Sequence, residues 1–455
     1  LGSSTTDQSS FRSLITLSQT EGDVAPGALH RLRLSTPALS GRLASRDTAS
    51  AITRHVASGS AVTKAELTRT TGLARSSVST AVDDLLDSGV LEMAGTTDPV
   101  GRGRPGDVLV LAEGFGTVLV ADVGAATTRL CVSDLSQRSQ AVRQVALDVR
   151  RGPQECLLRL SEHLDELLAL DGRRGPVRVL VIGLPGPVDT HAGRPVRPPI
   201  MPGWDGYPVA QELGERYDCP VVVENDVNLR ALGEARALPD DQCPLLFVKV
   251  GTGIGAGIVT AEGHLHHGAD GAAGDIGHVR ARASATARCE CGATGCIEAV
   301  ASAAAVLRDL AGHAELDGRS PQSVDDLVEL LRARDQTALR RVRQAATDLG
   351  EVIAMLVHFY NPARVVLGGL MAEASDDTLA GVRSVVYQSA LPLATRNLVL
   401  THPRLGSDAG VSGGLVLGLE TALSAEALGR VRPASRRLST PDHSTTSVRP
   451  QRRSS

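Results

Sequence analysis

His278 stands eleven residues before Cys289, and the string CECGATGC sets Cys289, Cys291 and Cys296 within eight residues. Three thiolates and an imidazole at the corners of a tetrahedron are what a closed structural zinc site uses, and intervening glycines let the backbone fold tightly around the ion. Such a site holds loops together rather than catalysing. The competing reading is a chance cluster of reduced thiols. Cys131, Cys156, Cys219 and Cys243 are scattered singly, and an odd total of seven in a long chain argues against a disulfide framework.

A second constellation lies upstream, in AELTRTTGLARSSVSTAVDDLLDSGVL. Thr63 and Glu66 have capping-box spacing at a helix start, Gly72 breaks the chain, and Val78, Val82, Leu85 and Leu86 recur at helical spacing up to Gly89. Such a bracing helix, tight turn and second helix make a helix-turn-helix, whose second helix can enter the major groove of DNA. Its outward face carries Arg75, Ser76, Ser77, Ser79 and Thr80, polar groups able to reach base edges and phosphates. VLEMAG and DVLVLA then read as two strands around GRGRP, a β-wing whose Arg102 and Arg104 suit a narrow minor groove. The alternatives are a helical protein-interaction module and an ordinary polar hairpin tip.

Around these sites the chain divides into four stretches. Residues 1–46 are rich in Ser, Thr, Gly and Arg and predict a disordered leader; 428–455 predict a similar tail. Residues 47–112 hold the helices and wing. From 113 to 427 the pattern is α/β: strands near 117–122, 128–134, 141–148, 177–183 and 219–224 with helices over 153–169 and 208–217, then a helix from Asp226 and a second series opening with LLFVKV and GAGIVTAE and reaching ARVVLGG at 363–369. Two halves that each open on a Gly-containing hairpin suggest a duplicated, two-lobed fold with a ligand cleft between the lobes.

At 455 residues the chain exceeds what one core organises. Apolar residues make up 42% and aromatics only 2%, so Val, Leu, Ile and Ala must build the interior of a globular protein. Neither a long apolar run nor signal-peptide regions occur, so a cytoplasmic location without a membrane partner is expected. A net charge of −4 gives no hint of nucleic acid, yet a small DNA-binding module can carry its own basic surface.

GAAGDIGHV followed by CECGATGCIE is similar to the signature of the ROK family, and the resemblance covers about residues 110–425. It implies a two-lobed, actin-like (ribonuclease H-like) sugar-kinase fold, here preceded by a small winged helix-turn-helix domain as in the family's repressor branch. It also implies that His278, Cys289, Cys291 and Cys296 bind structural Zn2+. The Asn-Asp pair of VVVENDVNLRALGE gives Asn225 and Asp226 as sugar ligands, with Asp226 the general base if phosphoryl transfer is retained. Outside the family such a triplet is more often a helix cap. Asp275, His278 and Glu298 are the other implied sugar contacts, Asp275 standing where the family has a longer Glu. MPGWDGYP resembles the segment near the cleft, where Trp204 stacks on a sugar or covers the core.

GTGIGAG matches the family's second phosphate loop, implying nucleotide contacts at Gly251, Thr252, Gly253 and Gly255. The first loop should read Asp-x-Gly-Gly-Thr; here Asp122, Val123, Gly124, Ala125, Ala126 and Thr127 lose one glycine and shift the Thr. A methyl group where a phosphate approaches the backbone excludes it or forces a conformation alanine resists. The expectation is therefore a repressor, at least dimeric (a homodimer or homotetramer), that reads an inverted-repeat operator and answers to a sugar or sugar phosphate. A sugar kinase using ATP and Mg2+, and a bifunctional protein, are the alternatives.

Overall fold

The computed structural model describes residues 29, 32–37, 45–96, 106–138, 140–172, 175–239, 242–281, 286–311 and 321–431. The first unit holds α1 (Ser45–Ser58), α2 (Lys64–Thr71) and α3 (Arg75–Asp87), then the hairpin β1 (Leu91–Thr96) and β2 (Asp107–Leu111). The Thr63 hydroxyl accepts from Glu66 N at 3.2 Å while the Glu66 carboxylate accepts from Thr63 N at 3.0 Å, so the capping box forms as its spacing predicts. Gly72 adopts φ +68°, the left-handed geometry that ends α2 and turns the chain into α3. Val78, Val82 and Leu85 bury one face of α3 against α1 and α2.

The first lobe follows with β3 (Thr117–Val123), β4 (Thr127–Asp134), β5 (Gln140–Ala146), α4 (Pro153–Asp171), β6 (Val177–Leu184), the short β7 (Val188–Asp189) and β8 (Arg194–Pro195), α5 (Val209–Tyr217), β9 (Val221–Asn225) and α6 (Asp226–Ala237). Its five-stranded sheet has the order β5-β4-β3-β6-β9, with antiparallel hairpins at one side and parallel strands at the other. In the second lobe come β10 (Leu245–Val250), β11 (Ile254–Val259), α7 (Glu298–Ala301), α8 (Ala303–Ala311), α9 (Val324–Arg332) and α10 (Gln336–Tyr360). After these come β12 (Arg364–Gly368), α11 (Leu370–Ala374), α12 (Asp376–Ser389), α13 (Pro392–Thr395) and β13 (Val399–Thr401), then α14 (Ala409–Ala422), which packs on the first-lobe sheet, and α15 (Ala425–Gly429), which packs on α1; β10–β13 form the sheet of the second lobe. Its sheet order, β11-β10-β12-β13, repeats the opening of the first, antiparallel β10 to β11 and parallel β10 to β12. The two halves are the duplicated α/β arrangement expected from the sequence.

The helices α6 and α14 lie at its centre. Their contact is closer than side chains allow: a Cβ on Gly233 would strike the Ala409 carbonyl, and one on Gly413 the Leu229 carbonyl. Glycine is required at both positions. Each helix begins at the cleft and ends beside the N-terminal unit, where one apolar cluster joins Ile52 and Val56 of α1 to Leu415 and Leu419 of α14.

Part of the stretch expected to be a disordered leader is packed instead. Leu29, Leu32 and Leu34 are buried in that same cluster. The polar composition of 1–46 masks these leucines, whose burial depends on partners distant in sequence. At the other end, Leu428 packs at the end of α15, inside the boundary of the expected tail. No described helix is long and apolar enough to cross a membrane.

Candidate functional site

Four ligand atoms of His278, Cys289, Cys291 and Cys296 lie within 4.8 Å of one another. Cys291 Sγ is 3.8 Å from Cys296 Sγ, and Cys289 Sγ is 3.7 Å from His278 Nδ1. With Zn–S bonds near 2.3 Å, the edge of a tetrahedron is about 3.8 Å, so the four donors fit zinc. Burial pushes the Cys289 thiol up to about 12 and raises that of Cys296, whereas the Ala293 N–H holds Cys291 low. Buried sulfurs of this kind need a cation beside them to ionise.

The cluster is tied to the turn at 276–278 and to the β10–β11 hairpin. With His278 Nδ1 turned to the thiols, Nε2 faces Asp275 at 3.8 Å. Glu298, first residue of α7, accepts from Ile254 N at 2.9 Å, and Gly253 leaves room for that carboxylate. The cysteine loop, glycine hairpin and the three-residue turn at 276–278 are thus fastened at one residue.

In the first lobe, Asn225 ends β9 and Asp226 begins α6. Asn225 is the cap of α6: its Oδ1 accepts from Val227 N at 2.9 Å and Asn228 N at 3.2 Å, while Nδ2 donates to the Gly186 carbonyl at 2.9 Å. The capping role considered for Asp226 therefore belongs to Asn225, which keeps one amide N–H for a ligand. Asp226 is 2% exposed and bonds the Lys249 ammonium. Glu224, just before them, accepts from Asn225 N, from Asn228 Nδ2 and from His267 Nε2, the last at 2.7 Å. His267 comes from the loop after β11, so this pair spans the lobes.

Chiefly because it hydrogen-bonds Glu224, His267 has a raised pKa despite its partial burial. A folded-state pKa above the unfolded one means the folded chain holds the proton more tightly. The pair's contribution to stability is therefore complete below about pH 6.5 and is lost as pH rises through the raised His267 value. Thermal unfolding from pH 5.5 to 8.5 should show this step, and H267Q should lack it; identical profiles for both proteins would overturn this account of the Glu224–His267 pair.

The residues of the two expected phosphate loops make contacts within the chain. Asp122, 2% exposed at the end of β3, meets Arg230 of α6 at 2.7 Å, and its other oxygen has no partner among the described residues. Burial drives the Asp122 carboxyl up, opposed by the guanidinium. Gly124 N bonds Thr127 O, and the carbonyls of Ala125 and Ala126 hold the backbone at Val149 and Leu147. In the second loop, Gly251, Thr252 and Gly253 make the tight β10–β11 turn, but a Cβ on Gly255 would press on Val227, and Gly257 lies on Ala231. The latter glycines serve helix packing.

With Asp122 bound to an internal guanidinium and Asp226 to an internal ammonium, the carboxylates do not fit a magnesium–nucleotide complex, whose cation would meet Arg230 and Lys249. Trp204 is also settled: it is 1% exposed, donates to the Val149 carbonyl at 2.9 Å and packs in the core. Sequence reasoning missed Arg230, Lys249 and the Glu224–His267 pair. A lysine inside the apolar strand LLFVKV and an arginine one helical turn after Asp226 were the available signals.

In the N-terminal unit Arg75, Ser76, Ser77 and Thr80 are exposed on α3 and Ser79 is half-buried. Asp83 is tied to Lys64 of α2 at 2.6 Å, farther along the helix. The tip of the β1–β2 hairpin, with Arg102 and Arg104, lies outside the described residues.

The sequence profile of the ROK family matches residues 118–421. The chain belongs to the ROK family. A glucokinase of Halalkalibacterium halodurans is 35% identical over 51% of this chain and 73% of its own length. The DNA-binding transcriptional repressor Mlc of Escherichia coli is 23% identical over 77% of this chain and 88% of its own length. Among solved structures, a ROK family transcriptional regulator described as a homologue of the E. coli MLC protein superposes with a TM-score of 0.69 at 22% identity, covering 84% of this chain and 98% of that one. The ROK match spans the cleft and the metal cluster. The superposition on the regulator reaches beyond that span.

Proposed function

We propose that this ROK protein is a sugar-responsive transcriptional repressor: α3 and the hairpin read an inverted-repeat operator as a dimer or tetramer, and a sugar or sugar phosphate in the cleft releases it. The observation that carries this reading is the Lys249–Asp226 and Arg230–Asp122 pairing, which gives each of the two carboxylates an internal cation. Asn225, Asp226, Asp275, His278 and Glu298 would hold the hydroxyls, and zinc on His278, Cys289, Cys291 and Cys296 would fix the wall they project from. Such a protein works in the cytoplasm, with DNA as its macromolecular partner. Release requires the ligand to favour the state that binds DNA less well.

The test is a selection of DNA sequences bound by the purified chain, repeated with D-glucose, D-xylose, N-acetyl-D-mannosamine and the 6-phosphates of glucose and N-acetylmannosamine. A recovered palindromic site whose affinity one of these sugars lowers is the expected result; random recovery at physiological salt would overturn the reading. Against the recovered site, R75A should weaken binding by about 1–3 kcal/mol if Arg75 contacts a base. Unchanged affinity in a fluorescence-anisotropy titration would remove α3 as the reading helix. The second reading, a sugar kinase, draws on the retained Asp226 and the intact GTGIG turn, with the N-terminal helices mediating contacts.

A further inference from the structure

The described residues before α1 meet the rest of the chain at an unusual place. Leu32 exchanges two hydrogen bonds with the Gln137 side chain, its N–H donating to Oε1 at 2.9 Å and its carbonyl accepting from Nε2 at 3.1 Å. Arg33 donates to the Ala235 carbonyl at 2.9 Å and also to that of Leu238, clamping the last turn of α6. Ser35 N donates to Glu420 of α14 at 2.6 Å, and Glu420 pairs with Arg236 of α6 at 3.1 Å. Arg54 of α1 then donates to the carbonyls of both Ser35 and Glu420, each at 2.6 Å. Finally, the Ser35 hydroxyl lies 2.8 Å from His264 Nε2, on the loop that also carries His267.

Ser35 therefore touches three bodies: α1 of the N-terminal unit, the end of α14, and the second-lobe loop. The far ends of α6 and α14 carry candidate ligand-binding residues. Asn225 and Asp226 open α6, and Gly410 in the first turn of α14 packs on Asp122. Because Gly233 and Gly413 bring the two helices into backbone contact, a shift at their cleft ends cannot be absorbed by side-chain rearrangement between them. It must appear at their other ends, where residues 32–35 are fastened. The apolar burial of Leu32 and Leu34 keeps the segment seated while its polar contacts register the movement.

We propose that residues 32–35 are the connector through which occupancy of the cleft reaches the DNA-reading unit, with Arg33 gripping α6 and Arg54 passing the change to α1. The proposal rests on the repressor reading and specifies its regulation. Coupling between two sites is a free energy that both ligands share, and values of about 5- to 150-fold in affinity are typical.

The experiment measures operator affinity with and without each sugar of the panel above, and sugar affinity with and without operator, for the wild-type chain, R33A and R54Q. The wild type should show the same ratio in both directions. In each variant the separate affinities for operator and for sugar should stay within about threefold of wild type while the ratio collapses to within about twofold of one. Variants that keep the wild-type ratio overturn the connector and leave the repressor reading intact. A wild-type ratio of one for every sugar overturns the repressor reading itself. Should either variant fail to fold, hydrogen exchange of the wild type decides: saturation with the panel sugar that binds most tightly must change exchange in residues 32–37 and in α1, and unchanged exchange there overturns the connector.

Discussion

Replacing Cys291 with serine is expected to reduce bound zinc from about one equivalent per chain to less than one-tenth, and to abolish the response of operator affinity to sugar. Cys291 is the exposed member of the cluster, so its loss leaves no cavity in the apolar core. What goes is a thiolate at the corner of a tetrahedron whose other edges fit zinc. A serine hydroxyl stays protonated near neutral pH and is a poor ligand. Apparent binding energies of structural zinc sites reach about 10–16 kcal/mol, so the loop at 286–298 has more to lose here than at any hydrogen bond. The effect must travel to the cleft, because His278 uses Nδ1 toward the thiols and only then presents Nε2 beside Asp275. Glu298 follows, since it lies two residues after Cys296 and anchors Ile254 of the glycine hairpin. Metal analysis with anisotropy titration checks the result: a zinc-free C291S protein that still answers fully to sugar would separate the metal from the cleft. DNA binding without sugar should survive, because Leu67 of α2 and Val78 of α3 pack in the core shared with α1 and α14, whereas Ile276 and Ile297 beside the cluster pack in that of the second lobe.

The fold was legible wherever local pattern and tertiary placement agree. The capping box at Thr63 and the turn at Gly72 depend on neighbours within a few residues, and both formed as read. The strands of both lobes were equally visible because apolar runs bounded by turns have few other uses in an α/β chain. The metal cluster was visible for a similar reason, since three of its ligands crowd into one short loop. Long-range polar pairing was not visible. Nothing in the spacing of Asp122 and Arg230, or of Glu224 and His267, announces contact, and the leucines at 29, 32 and 34 look like isolated residues until the ends of α6 and α14 are placed beside them. Gly255 was readable as a glycine, but its close approach to Val227 of α6 is visible only in three dimensions.

Incubated with ATP, magnesium and the sugars of the panel, the chain is expected to turn over below about 1 per second, against roughly 1–100 per second for kinases. Phosphoryl transfer needs a base beside the attacking hydroxyl and a cation–phosphate complex held in line with it. Here Asp226 is buried against the Lys249 ammonium and Asp122 against the Arg230 guanidinium, so each carboxylate already has its positive partner. Admitting a magnesium–nucleotide complex means separating a buried pair and leaving a cation in place, and breaking such a pair costs about 3–5 kcal/mol. At about 1.4 kcal/mol per tenfold that is two to four orders of magnitude in the population of competent complex. Sugar binding needs neither separation: Asn225 keeps an amide N–H, and His278 Nε2 and the Asp275 carboxylate face each other across the wall. The chain should therefore bind at least one sugar of the panel by calorimetry while a coupled assay stays silent. Turnover at kinase rates that D226N abolishes would overturn this, because it would mean that Lys249 and Arg230 move aside when nucleotide arrives and that the pairs are a resting state of an enzyme.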